Sequence, residues 1–285
     1  MCGDLEYLPH PKKLLAESNK RARRSLGQNF LVNRDLLKKI AVYVSTGGSP
    51  TVLEVGPGLG HLTILLCCFY KHVIAIEKDE GLAADLRRRL NERSNLEVIA
   101  GDATEISIGE RLKHHSEGYD VVGNLPFYCA TEILFHFLEE DKPAERMVFM
   151  FQKEVARRIL AKPGSKEYGA LTVACNSLSS PKVLFPVSAG SFYPKPDVDG
   201  VVLTFSPKKE RLSSEKRSCL REILQAGFSG RRKKLRNAFK KRGLWEELIL
   251  CEKTDLERLG SARPDAISPE DYFMLADVLS KARSR

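Results

Sequence analysis

The tetrapeptide Asn124-Leu125-Pro126-Phe127 brings an amide, a proline-fixed backbone and an aromatic face together within four residues. Two carbonyls held close together can accept both hydrogens of an exocyclic amine. An amine such as that of adenine is a poor nucleophile, because its lone pair is delocalised into the ring; two acceptors turn that lone pair outward. The Asn124 side-chain carbonyl and the Pro126 backbone carbonyl are the candidate acceptors, since proline fixes the local path. Leu125 lies between them, and Phe127 offers a face on which an extruded base stacks, offsetting part of the few kcal/mol that unstacking costs. Attack on an already activated methyl carbon then requires in-line positioning and no metal. The structural alternative is a turn with a packed aromatic, and only its surroundings decide between the two.

A second cluster supplies those surroundings. Glu54-Val55-Gly56-Pro57-Gly58-Leu59-Gly60 falls between an apolar run and a helical stretch. Glycines there let the backbone turn sharply and approach a ligand closely. A dinucleotide dehydrogenase is the rival reading, but its fingerprint is G-x-G-x-x-G. Here the spacing is G-x-G-x-G, and His61 stands where the third dinucleotide glycine would be. Glu77 ends the next apolar run, where an acid takes ribose hydroxyls. Asp102 ends the one after, where a carboxylate accepts from an adenine amine. Strand-terminal acids at these positions suit S-adenosylmethionine.

The elements that must position these residues follow from periodicity. Short apolar runs at 51–55, 73–76, 96–100, 119–122 and 146–151 alternate with helical patterns near 60–70, 79–91 and 129–139. A helix after an Asn33 cap puts Leu36, Leu37, Ile40 and Val44 on one face. Apolar strands alternating with helices predict an α/β fold with a mostly parallel sheet covered on both faces, a Rossmann-like arrangement. Ligands then bind at the carboxyl ends of the strands, where 56–60, 77, 102 and 124–127 all fall. Helical patterns at 152–161 and 169–179 and strands at 182–185 and 201–205 complete this part. Beyond Pro207 the pattern is helical only, with breaks at 227–230, 243 and 260–264. The expected organisation is a flexible basic arm over 1–24, an α/β domain over 25–207 and a small all-helical domain over 208–285.

Charge indicates the partner. The chain of 285 residues carries a net +9, and this charge is concentrated. Residues 208–242 hold 14 Lys/Arg against three acids, and residues 12–39 hold nine against two, leaving the rest net acidic. Two basic segments around an acidic body suit a phosphate polymer, whose condensed counterions each bound Lys or Arg releases. Within 231–242 the apolar residues Leu235, Ala238 and Phe239 form a narrow stripe suited to docking on the protein rather than on lipid. Seven cysteines without a Cys-x-x-Cys fit neither a disulfide framework nor a zinc site, and read as reduced, mostly buried thiols. No apolar run approaches the roughly 18 residues of a membrane span, and the start lacks a secretory pattern, so a cytoplasmic location is expected.

On these residues the chain resembles the small-subunit ribosomal RNA adenine N6,N6-dimethyltransferases of the KsgA type, from about residue 25 to 242 and more loosely to the end. The opening Leu26-Gly27-Gln28-Asn29-Phe30-Leu31 carries the resemblance, with Glu54, Gly56, Gly58 and Gly60, Asn124–Phe127, Gln152–Ala156, Phe192-Tyr193-Pro194-Lys195-Pro196-Asp197-Val198 and Arg231-Arg232-Lys233-Lys234-Leu235-Arg236-Asn237. It implies a class I methyltransferase domain that binds S-adenosylmethionine through Gln28, Asn29, Leu31, the glycine motif, Glu77 with Lys78, Asp102 with Ala103, and Asn124. It implies catalysis by the Asn124–Phe127 loop, Phe192 as a second stacking partner, and RNA binding by Arg231, Arg232, Lys233, Lys234 and Arg236. The implied substrate is two adjacent adenines near the 3′ end of small-subunit rRNA in an immature 30S-type particle, with a role in ribosome biogenesis; nothing in the sequence points to an obligate oligomer, so a monomer is expected. Phe127 departs from the commoner tyrosine and Gly200 from serine. The alternatives are an Erm-type large-subunit rRNA methylase, or an assembly factor that binds without catalysis.

Overall fold

The computed structural model describes residues 8–23, 26–112, 117–140, 142–208, 212–231, 233–249 and 255–284. In chain order the elements are α1 Pro11–Glu17, β1 Phe30–Leu31, α2 Arg34–Ser45, β2 Thr51–Val55, α3 Thr63–Phe69, β3 His72–Glu77, α4 Glu80–Arg89, β4 Leu96–Ala100, α5 Ile108–Arg111, β5 Tyr119–Gly123, α6 Ala130–Glu139 and β6 Arg146–Gln152. There follow α7 Lys153–Ile159, α8 Ala170–Leu178, β7 Ser179–Val187, β8 Phe192–Tyr193, β9 Gly200–Pro207, α9 Ser214–Phe228, α10 Leu235–Lys240, α11 Leu244–Ile249, α12 Leu256–Ser261 and α13 Pro269–Arg283. They form two compact units, Met1–Lys153 with Lys182–Pro207, and Glu154–Pro181 with Lys208–Arg285.

The sheet runs β4-β3-β2-β5-β6-β9-β7. Strands β4 to β6 are parallel, and β9 is antiparallel to β6. Every residue of β2 and β5 is buried, as expected of central strands covered by helices on both sides. From β2 the chain builds outward through β3 and β4, then returns to place β5 on the other side of β2. The crevice opens where this order reverses, at the carboxyl ends of β2 and β5. Register sets Val55 opposite Gly123, so Gly56 and Asn124 emerge side by side. The two motifs that chemistry singled out therefore meet because of topology. Gly200, the departure noted above, opens β9 opposite Gln152. A Cβ there would lie 3.3 Å from the Met150 Sδ, so glycine relieves a tight spot and the ladder continues past it.

Two boundaries differ from the sequence expectation. Part of the supposed flexible arm is ordered: α1 buries Leu14 and Leu15 in a small core with Phe30, Leu59 and Leu82. Residues 1–7 and 24 lie outside the described residues. The cut at 207 also misplaces residues 154–181, which belong with the C-terminal helices. Within that second unit the Tyr168 hydroxyl donates to the Ile267 carbonyl (2.6 Å), the Tyr272 hydroxyl donates to the Pro264 carbonyl (2.8 Å), and Phe228 lies between the two tyrosine rings. The Tyr168–Ile267 bond spans 99 residues of sequence and leaves no local periodic trace.

Gly60 illustrates a motif glycine that serves the fold. Its φ is +88°, and a Cβ would come within 2.4 Å of the Leu86 Cδ1 on α4. Gly60→Ala is expected to destabilise the fold by about 2 kcal/mol, from left-handed backbone strain together with displacement of Leu86. Thermal melting should fall by roughly 5 °C, while calorimetry at low temperature should find cofactor affinity nearly unchanged.

Candidate active site

A cleft of about 290 Å³ lies at the carboxyl ends of β2, β3, β4 and β5. The sequence-predicted Gln28, Asn29, Gly56, Gly58, Glu77, Lys78, Asp102, Ala103, Asn124 and Pro126 all line it. Gly56 has φ +69°, and a Cβ on it would have no protein atom nearer than the Asn124 carbonyl oxygen at 4.0 Å. That side chain would fill open cleft, which is the mark of a cradle for a ligand. Gly58 has φ +57°, and a Cβ on it would press within 2.9 Å of the Phe30 ring.

Glu77 is buried at the end of β3. Its Oε2 accepts from the Gly58 N–H and its Oε1 from the Asp79 N–H, both at 2.9 Å. Burial raises its pKa above the ordinary carboxylate value, with the two backbone N–H groups opposing the rise. Each oxygen keeps one further lone pair, enough to accept vicinal hydroxyls. Asp102 sits across the cleft. The Lys78 Nζ donates to its Oδ2 at 2.6 Å, and the backbone N–H and hydroxyl of Thr104 donate to its Oδ1. The Lys78 ammonium, helped by Thr104, pulls the Asp102 pKa down to about 2, so it is a carboxylate at neutral pH and accepts only.

The Asn124 Nδ2 donates to the backbone carbonyl of Asn29 at 2.9 Å. A carbonyl cannot donate, so this bond fixes which end of the amide is nitrogen and leaves Oδ1 as the acceptor on the other side. The Asn29 Nδ2 in turn donates to the Gly27 carbonyl. The opening loop is thus tied to the catalytic loop.

Several expected roles change. Leu125 is buried at 2% exposure, with its side chain packed over Gly123, so it seats the loop and contributes no side-chain chemistry. The Pro126 carbonyl accepts from the Cys129 N–H at 3.2 Å, which engages it in the turn that starts α6. Phe127 is half-buried and does not line the cleft; Tyr128, 61% exposed, does, together with the buried Phe30. Sequence reasoning passed over Tyr128, although two consecutive aromatics were the available signal. Gln28 lines the cleft, but both ends of its amide are bound within the chain, to Asp79 and to the Arg23 N–H. Leu31 is core, opposite Phe192 in the β1–β8 pair, and Phe192 is itself buried among Leu31, Val187 and Val202. Phe192 therefore presents no open face to a base. Gly60 packs on α4, as described. Glu54 lines an adjoining cavity of about 40 Å³ that shares Phe30, Gly56 and Asn124 with the cleft.

Burial pushes the Glu54 pKa up to about 8, and its Oε2 has no hydrogen-bond partner among the described residues. The folded state keeps this proton while the unfolded chain loses it above pH 4.5, so stability falls as pH rises from 4.5 to about 8. Asp120, buried beside the Tyr70 hydroxyl and raised to about 6, adds the same sign between 3.8 and 6. Glu54→Gln is expected to flatten the decline between pH 6 and 8, raising stability at pH 8 by a few kcal/mol at most. Urea unfolding midpoints across that range check this.

In the second unit, Lys233, Lys234, Lys240, Lys241 and Arg242 are exposed. Arg231 donates to the Lys166 and Tyr168 carbonyls, and Arg236 lies over the Trp245 ring and pairs with Glu257. Both arginines therefore carry structural duty. Arg232 lies outside the described residues. Leu235, Ala238 and Phe239 are buried, as the apolar stripe requires.

The sheet order, the glycine turn and the two strand-terminal acids define a class I methyltransferase fold. A family model described as ribosomal RNA adenine dimethylase matches residues 19–281. The chain is 34% identical to the ribosomal RNA small subunit methyltransferase A of Latilactobacillus sakei, over 98% of this chain and 96% of that one. It is 39% identical to the protein of the same name from Geobacter metallireducens, over 79% and 82%. Among solved structures it is similar to a dimethyladenosine transferase from Plasmodium falciparum (TM-score 0.75, 25% identity, 89% and 98% covered). Its fold is also shared by the 23S rRNA methyltransferase ErmE (TM-score 0.65, 24% identity, 88% and 99% covered). The chain belongs to the ribosomal RNA adenine dimethylase family.

Proposed function

We propose that this protein transfers methyl groups from S-adenosylmethionine to the N6 amines of two adjacent adenines near the 3′ end of small-subunit rRNA, giving N6,N6-dimethyladenine. The observation that carries the reading is the Asn124 amide. Its nitrogen is held by the Asn29 carbonyl and its oxygen is left as an acceptor, one residue beyond the β5 end that faces the glycine turn.

The bound cofactor would supply an electrophilic methyl carbon on a sulfonium. The chain's residues do the rest. Glu77 accepts ribose hydroxyls, Asp102 and the backbone at Ala103 hold adenine, Gly56 leaves room for close approach, and Gly58 makes way for the Phe30 ring. Asn124 Oδ1 takes one hydrogen of the target amine. The second acceptor moves from Pro126 to the Leu125 carbonyl, to which no donor is bound among the described residues. With both hydrogens held, the N6 lone pair points at the methyl carbon. Each transfer would form an N6–C bond as the cofactor's C–S bond breaks, with one proton released from N6 to solvent; in the second transfer only the one remaining N–H is there to be held. Phe127 and Tyr128 supply aromatic surface for the extruded base.

The exposed lysines of the second unit supply non-specific backbone affinity. Replacing Lys233 and Lys234 together with alanine is expected to weaken rRNA binding and to lower the slope of log affinity against log salt by about 2. A filter-binding salt titration checks this. Labelled methyl transfer to immature small-subunit particles tests the reaction itself, and absence of transfer to any small-subunit RNA would contradict it. An Erm-type reading is less well supported, because the relatives at 34% and 39% identity are named as small-subunit methyltransferases. We place the activity in the cytoplasm, where such particles mature; among the described residues no helix is long and apolar enough to cross a membrane.

A further inference from the structure

Asp79 lies two residues beyond Glu77 and is 6% exposed. Its polar atoms tie together several parts of the cleft wall, and its backbone carbonyl accepts from the Ala83 N–H of α4 (2.9 Å). The backbone N–H donates to Glu77 Oε1 (2.9 Å). Oδ1 accepts from the Gly81 and Leu82 N–H groups (3.0 and 3.2 Å), capping α4. Oδ2 accepts from Gln28 Nε2 (3.2 Å) and faces Arg23 Nη1 at 3.3 Å. The Gln28 Oε1 accepts from the Arg23 N–H (2.8 Å), closing a small ring of contacts. Nearby, Lys20 Nζ donates to the Gly81 carbonyl and to Asp85, each at 2.5 Å.

The two carboxylate oxygens therefore have separable duties. Oδ1 caps a helix, a role that serine or asparagine performs equally well. Oδ2 fastens the opening loop, and the cap does not need it. That loop ends in Asn29, whose carbonyl orients Asn124. A chain of contacts runs from Arg23 and Gln28 through Asp79 to Glu77 on one side, and through Asn29 to Asn124 on the other. A buried carboxylate that used only one oxygen for capping would be costly, and the Gln28 and Arg23 contacts satisfy the other.

From this geometry we infer that Asp79 is a positioning residue: its Oδ2 latches the 26–29 loop across the cleft and couples that loop to Glu77, so that cofactor affinity depends on a residue that does not line the cleft. The inference rests on reading the cleft as the S-adenosylmethionine site. Arg23 is the part of this segment that the latch holds and that is released when Oδ2 is removed, while Lys20 stays fastened to Gly81 and Asp85.

The probe is S-adenosylhomocysteine, measured by calorimetry on the full chain. Asp79→Ser keeps an α4 cap and loses Oδ2. It is expected to raise Kd about tenfold with a melting temperature within a few degrees of wild type. Gln28→Ala is expected to raise Kd several-fold, and the double variant no more than Asp79→Ser alone, because both break one latch. Limited trypsinolysis supplies a second readout: cleavage after Arg21 or Arg23 should be suppressed by S-adenosylhomocysteine in the wild type and not in Asp79→Ser. Multiplicative losses, unchanged affinity in Asp79→Ser, or ligand protection that survives the substitution would overturn the latch. Should Asp79→Ser fail to fold, Gln28→Ala with Arg23→Ala decides in the same way. Wild-type protein that does not bind the probe would instead overturn the reading of the cleft.

Discussion

Asn124→Ala is expected to lower kcat by about 100- to 1,000-fold, while cofactor Kd moves only a few-fold. A preorganised acceptor aimed at the charge that develops during reaction contributes about 3–4 kcal/mol in comparable sites. Truncation removes Oδ1 outright. It also releases the Asn29 carbonyl, so a modest effect on binding is expected through the opening loop. Asn124→Asp separates the two roles. Aspartate keeps the acceptor but cannot donate to Asn29, and its charge repels that carbonyl. Activity should therefore be intermediate, with a larger binding defect than in Asn124→Ala. Single-turnover methyl transfer together with calorimetry measures both quantities. Collapse of cofactor affinity in Asn124→Ala would show that the residue mainly holds cofactor.

Glu77→Ala has the largest expected effect on binding. It strips the ribose acceptor and leaves the Gly58 and Asp79 N–H groups without their partner. An unsatisfied buried donor costs about 1–3 kcal/mol, so the fold loses roughly 2–5 kcal/mol as the glycine turn relaxes. Cofactor Kd should rise at least about 100-fold, because hydroxyl recognition and turn geometry fail together. Glu77→Gln should fall between, since one amide oxygen still accepts while the NH2 faces the other N–H. Denaturant unfolding and calorimetry on the three proteins provide the check.

The parts of this site that were legible in the sequence are those carried by strand ends. Glu77, Asp102 and Asn124 each terminate a short apolar run, and a parallel sheet necessarily gathers such ends at one edge. The glycine turn was legible for the same reason. The misreadings concern side chains that neighbour the site in sequence but point elsewhere. Leu31, Glu54 and Phe192 sit in or beside strands, where alternate residues face opposite sides, and a motif match says nothing about which side is open. Gly60 was grouped with its motif although its constraint comes from Leu86 on another helix. Tyr128 and Asp79 were missed because their importance depends on contacts 50 or more residues away or on a neighbour's burial. Helix α1 was missed because its apolar content is little more than the Leu14-Leu15 pair, which becomes core only against Phe30, Leu59 and Leu82. The basic stretch 231–236 was read as uniform, yet Arg231 and Arg236 hold the second unit together while the adjacent lysines face solvent.

The central claim is dimethylation of adenine in small-subunit rRNA, and nucleoside mass spectrometry of that RNA from cells with and without the protein tests it most directly. The expected result is N6,N6-dimethyladenine at two adjacent positions near the 3′ end when the protein is present, lost on its removal and not restored by the Asn124→Ala variant. An unchanged small-subunit signal, or a change confined to large-subunit rRNA, would contradict it.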